Sequence, residues 1–111
     1  MHYSLYKAIS KKDKRQVKWK KQRAQRGFDD TETWNLDSTI AKFLIPRLKR
    51  FKEVNDGYPP DITPEQWDEE LDMMIKGFEE TLLRYDMDKF EPKKLQKALK
   101  LFAKRFDYLW W

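Results

Sequence analysis

Apolar residues in this chain recur mainly at steps of three and four, the spacing of helices that each turn one face inward. The rest is organised around Trp34 to Val54, WNLDSTIAKFLIPRLKRFKEV. There Leu36, Ile40, Phe43, Leu44, Leu48 and Phe51 keep that period, and Ala41 and Ile45 widen the stripe. The pattern predicts a helix over 35–54 that touches more than one neighbour, with Asn35 as N-cap and Asp37 in the first turn, where the helix dipole favours a carboxylate. Pro46 interrupts the stretch. It cannot donate to the carbonyl of Lys42 and its ring crowds that turn, so a kink or break is expected near Phe43 to Ile45.

Two further helices follow. Thr63, Pro64 and Gln66 form a capping box with proline at the first helical position, and Ile62 and Trp67 stand where a hydrophobic staple packs. Trp67, Leu71, Met74, Ile75, Phe78, Leu82 and Tyr85 then mark one face of a helix over 64–86, opposite an acidic face that includes Asp68, Glu69, Glu70 and Asp72. After a break at Asp86 to Glu91, a helix over 92–109 carries Leu95, Leu99, Phe102, Phe106 and Leu109 inward, with Ala98 and Ala103 allowing close approach and the cations Lys93, Lys94, Lys97, Lys100, Lys104 and Arg105 elsewhere on it. The expected architecture is all-α: a small three-helix bundle, packed antiparallel through short loops, with a kinked first helix and a basic N-terminal arm or helix.

The ends are less regular. Tyr3, Leu5, Tyr6 and Ile9 fit either a strand or a short docked turn, and Lys11 to Arg26 holds too few apolar residues, Val17 and Trp19, for an apolar face. Residues 1–26 therefore read as an arm, partly helical or disordered, ended by Gly27, and 27–111 as the helical domain. At the other end Trp110 and Trp111 are expected to fold onto the bundle or into a partner chain, because two indoles in water are unfavourable.

Composition sharpens this picture in two ways. Seventeen aromatic residues in 111 exceed what a small core easily hides, which points to a binding surface or subunit interface. The net charge of +5 divides unevenly, with +9 over residues 1–26, −9 over 27–92 and +5 over 93–111. Basic ends suggest an anionic partner, self-association with the acidic middle, or a solvated tail. A chain of this length buries about 65% of its unfolded surface, enough for one self-standing core.

Candidate chemistry is sparse. With no cysteine and only His2 as histidine, disulfides, thiolate chemistry and zinc sites of the usual kind have no ligands. Asp68 and Asp72 could share a cation at i and i+4, but the histidines of two-metal helical bundles are missing, and neither metal nor cofactor is expected. Ser4, Ser10 and Ser38 have no histidine base near them, and three glycines form no phosphate loop. No segment reads as a signal peptide or spanning helix, so a cytoplasmic protein without membrane contact is expected.

Three binding surfaces remain. Arg47, Lys49 and Arg50, with Trp34, suit a nucleotide-like anion through bidentate contacts and stacking. Lys18, Trp19, Lys20 and Arg23, with Lys97 and Lys104, suit nucleic acid. Phe43, Trp110 and Trp111 suit an interface, and the run Phe43, Leu44, Ile45, which cannot all face one core, favours a homo-oligomer.

The segments RGFDDTETWNLDSTIAKFLIPRLKRFKE, GYPPDITPEQWDEELDMMIKGFE and LFAKRFDYLWW, in that order, resemble a family of small proteins from tailed bacteriophages and prophages, over about Arg26 to Trp111. Its recurring positions fall here on Trp34, Asp37, Pro46, Arg47, Trp67, Asp68 and Phe102. The resemblance implies a phage origin, accessory status and the cytoplasm of an infected host, but no reaction. The expectation is a non-enzymatic binding protein acting in counter-defence, by blocking a host defence protein or sequestering a nucleotide-like signal. The alternatives are a nucleic-acid-binding phage protein using the basic arm, and a structural protein of virion assembly.

Overall fold

The computed structural model describes residues 14–86 and 88–110. Residues 1–13, Met87 and Trp111 therefore lie outside it, and the readings made of them are not taken further. Among the described residues the chain is all-helical: α1 (Gln16–Arg26), a 3-10 turn (Asp30–Thr33), α2 (Leu36–Val54), α3 (Pro64–Thr81), α4 (Pro92–Arg105) and a second 3-10 turn (Phe106–Tyr108).

Local chemistry sets the boundaries. Gly27 closes α1 in the left-handed conformation that costs glycine nothing, at φ 84°, its N–H donating to the Arg23 carbonyl. The box at Thr63 forms as its residues require: Thr63 Oγ1 accepts from the Gln66 amide at 3.1 Å and the Thr63 amide donates to Gln66 Oε1 at 2.9 Å. A second box, unexpected from sequence, joins Asp29 and Glu32, where the Asp29 amide donates to Glu32 Oε2 at 2.8 Å and Asp29 Oδ1 accepts from the Thr31 amide at 2.8 Å. Asn35 does hold the N-cap position of α2, at φ 51°, but its side chain caps nothing. Its Oδ1 instead accepts from Arg84, which also pairs with Asp37.

Helix α2 runs through Pro46 without a break. Proline's fixed φ suits a helix, and Ile45, 0% exposed, and Leu48 are gripped by the core on either side. The turn crowded by the ring receives a side-chain donor: Arg47 Nη1 reaches the Phe43 carbonyl at 3.0 Å. Helix α3 stops at Thr81 rather than 86, because the amides of Leu82 and Leu83 shorten to three-residue bonds to Glu79 and Glu80. The buried Glu80 carboxylate then accepts the Glu91 amide at 2.8 Å and so fixes where α4 begins.

Helix α3 is the centre. Its Trp67, Leu71, Met74, Ile75 and Phe78 form the core with Ala41, Ile45 and Leu48 of α2, and α4 packs on its other side. Helices α2 and α4 are not close along their backbones, and they meet through side chains on α3, where Leu95 and Phe102 of α4 pack against the same cluster as Ala41, Ile45 and Leu48. At the α3–α4 crossing Gly77 faces Ala98, and a Cβ on Gly77 would fall 2.6 Å from the Lys94 carbonyl oxygen. That approach turns Ala98 and Arg105 inward and leaves Leu99 and Phe106, expected inside, exposed.

Candidate functional site

One face of α2 is left without a helical neighbour. Leu36, Ile40 and Phe43, at i, i+4 and i+7, stand exposed along it, while Ala41, Ile45 and Leu48 face the core. Phe28 forms a second wall and Leu44 and Phe102 line the groove with them, enclosing about 410 Å³. Apolar side chains dominate this lining, with Glu32, Thr33 and Thr39 as its polar members. Phe43 is thus exposed, and Leu44 and Ile45 turn progressively into the core.

The groove's second wall is held by a polar clasp. Arg23 donates to Asp29 at 2.6 Å, Gln22 Nε2 to Asp30 at 2.8 Å, Arg26 to Asp30 at 2.7 Å, and the Asp30 amide returns to Gln22 Oε1 at 2.9 Å. Burial pushes the Asp29 carboxyl up, but the hydroxyl and amide of Thr31 and the Arg23 guanidinium outweigh it and hold its pKa below the ordinary value. Hydrogen bonds from Gln22 first, then Arg26, lower that of Asp30. The clasp seats α1 on the 3-10 turn, with Trp19 edge-on to Trp34 at 5.8 Å between centroids.

Of the anion site predicted at Arg47, Lys49, Arg50 and Trp34, the structure brings Arg47 and Arg50 to one recess with Phe51 and Val54 and leaves Lys49 and Trp34 apart from it. The Arg47 guanidinium lies 3.9 Å from the Phe43 ring centroid, Arg50 pairs with Glu53 at 2.9 Å, and Lys49 opens on a separate recess among Glu53, Asp72 and Glu79. Trp34 precedes α2, whereas Arg47 is eleven residues beyond Leu36, about 16 Å along the axis. The nucleic-acid set separates likewise. Trp19 is 4% exposed and faces the protein, Arg23 is committed to Asp29, and Lys18, Lys20, Lys97 and Lys104 are exposed on two helices that do not pack together. Trp110, 72% exposed, does not fold onto the helical body; its carbonyl is held by Asn55 Nδ2 at 3.1 Å while its ring projects.

Among the described residues no three His, Asp or Glu side chains gather as a metal site, and no helix is long and apolar enough to cross a membrane. Sequence reading passed over Phe28 and put Leu36 and Ile40 on the apolar stripe of α2 without separating them from its core-facing residues. The signal lay in the width of the α2 stripe, which exceeds what one neighbouring helix covers. Comparison with protein-family models, curated proteins and solved structures finds no match in any of the three.

Proposed function

We propose that this is a non-catalytic binding protein that receives an amphipathic helix of a partner protein in the groove along α2. The observation that carries the reading is the exposed ridge of Leu36, Ile40 and Phe43 facing Phe28, an apolar channel of about 410 Å³ with anchors at helical spacing. Arg47 at its rim spends one donor on the Phe43 carbonyl and has no carboxylate partner among the described residues, so it suits an acidic residue flanking the partner's apolar face. The resemblance to small phage proteins makes a host protein the partner and the blocking of a defence protein the purpose. The distance of Trp34 and Lys49 from the recess that Arg47 and Arg50 share favours a protein target over a nucleotide-like one.

The test is Ile40→Asp, at an exposed position where the fold tolerates charge. A host protein captured by the wild type, purified and titrated, should bind the variant about 30-fold more weakly, the effect of losing an interface anchor of about 2 kcal/mol. Equal affinity would refute the groove as the docking site. Light scattering separates the other occupant: a wild-type dimer that Ile40→Asp turns into a monomer would place a second copy of the chain there.

A further inference from the structure

At the far end of α2 from that groove, the chain leaving the helix forms a second recess of a different kind. Tyr58, Tyr108 and Trp110 line it with Asn55, Asp56 and Gly57, enclosing about 220 Å³. All three rings are exposed, and among the described residues none stacks on another, so they flank a space instead of filling it. Asn55 fixes the frame. Its Oδ1 accepts from Trp67 Nε1 of the core at 3.2 Å, and its Nδ2 donates to the Trp110 carbonyl at 3.1 Å, tying the chain after α4 to the end of α2.

The charges around these rings set them apart. Elsewhere the protein lays an arginine over each of its exposed rings but Phe106: Arg26 over Phe28, Arg47 over Phe43, Arg84 over Tyr85, and Arg15 over Trp34 as well as the buried Trp19. No described cation lies over Tyr58, Tyr108 or Trp110, and the one charged residue in the lining is the carboxylate of Asp56, which has no described ion-pair partner. In a chain of net charge +5, this recess gathers three exposed electron-rich rings and a negative charge.

We propose that this recess is a cation site, taking an alkylated ammonium group between the faces of Tyr58, Tyr108 and Trp110 with Asp56 as counter-ion. Rings attract a cation through their quadrupole, and a cluster of them suits a quaternary ammonium, whose charge is spread over methyl groups that need no hydrogen-bond acceptor. A guanidinium suits the site less well, because its planar fork calls for paired acceptors and Asp56 supplies one carboxylate. The volume lies below the roughly 300 Å³ at which pockets begin to enclose drug-sized ligands, so the recess takes a head group and leaves the rest of its carrier outside. The carrier is either a free small molecule or the side chain of a methylated lysine. The site stands apart from the groove on α2, and Ile40→Asp leaves it intact.

The test is a titration of the full chain with choline at constant ionic strength, followed by NMR at the Trp110 indole and the rings of Tyr58 and Tyr108. Saturable shifts confined to these rings are expected, and the uncharged tert-butyl analogue of choline should produce none. Trp110→Leu should weaken binding about tenfold and Asp56→Asn about threefold, as loss of a cation–π contact or a counter-ion at a partly exposed site implies, with an unchanged melting temperature in both. A trimethyl-lysine peptide that binds more tightly than choline identifies a side chain as the carrier, and equal affinity identifies a free small molecule. Absence of saturable shifts, equal shifts from the uncharged analogue, or shifts mapping to Trp19 and Trp34 would overturn the proposal.

Discussion

Arg105 shows how much one side chain can organise. Its guanidinium is 3% exposed and donates to both oxygens of Asp61, at 2.9 and 3.2 Å, and to both of Glu70, at 2.8 and 3.1 Å, joining the α2–α3 connection, α3 and α4. Two carboxylates together raise its pKa further, and hydrogen bonding to Arg105 in turn lowers that of Asp61 below the ordinary 3.8. Arg105→Ala should cost about 3 kcal/mol in urea unfolding, the low end for breaking a buried pair, since Glu70 is stranded while Asp61 rehydrates. Arg105→Lys should recover only part of it, one ammonium being unable to span two carboxylates in a plane. Acid gives an independent check. Asp29 and Asp61 have folded-state pKa values below their unfolded ones, so the stability they contribute is complete above about pH 4 and is lost as pH falls through the folded values. Helix content followed by circular dichroism should fall in that range, with a shallower dependence in the Arg105→Ala protein. Sequence reading counted Arg105 with the cations of the last helix and gave it no part in the inward stripe. Its position was legible all the same, because Ala98, Phe102, Arg105 and Leu109 are themselves a helical stripe, hidden by the habit of reading arginine as solvent-facing.

Among the elements, the α3–α4 pair is set by what is missing from α3. Gly77 has no side chain, and Ala98 of α4 occupies the room. Helical propensity alone predicts that Gly77→Ala stabilises α3 by about 1 kcal/mol, whereas forcing a methyl into this contact should destabilise by about 1–3 kcal/mol. We expect the second effect to win because the obstructing atoms include the Lys94 carbonyl, which is backbone and cannot swing aside. A stabilised Gly77→Ala protein in equilibrium unfolding would show that the helices are not so close. Periodicity located α2 and both proline-started helices well, and the Thr63 box fixed one start to the residue, since these are local effects. The rotation of α4 that buries Ala98 in place of Leu99 was not legible, because it depends on a glycine on another helix. The end of α3 was missed for a related reason: Leu82 and Tyr85 extend the apolar spacing past the point where Arg84 is drawn to Asn35 and Asp37.

The whole molecule is extended, with a radius of gyration of 16.5 Å against about 13 Å for a compact chain of this length. Helix α1 packs on the 3-10 turn and on no other described element, and Trp19 lies outside the core cluster, so α1 is a satellite of the α2–α4 body. Amides of α1 should exchange with solvent by local opening well before those of α3, and added salt should hasten α1 alone, because partly exposed ion pairs fasten it. Equal exchange in the two helices would mean that α1 opens only with the core. The uneven charge of the sequence is thereby partly closed within one molecule, basic α1 on Asp29 and Asp30 and basic α4 on Asp61 and Glu70. The perpendicular indoles of Trp19 and Trp34 have a practical consequence. They touch only while the amino-terminal helix is seated, so their emission and near-ultraviolet ellipticity form a built-in gauge of its attachment, readable without a dye.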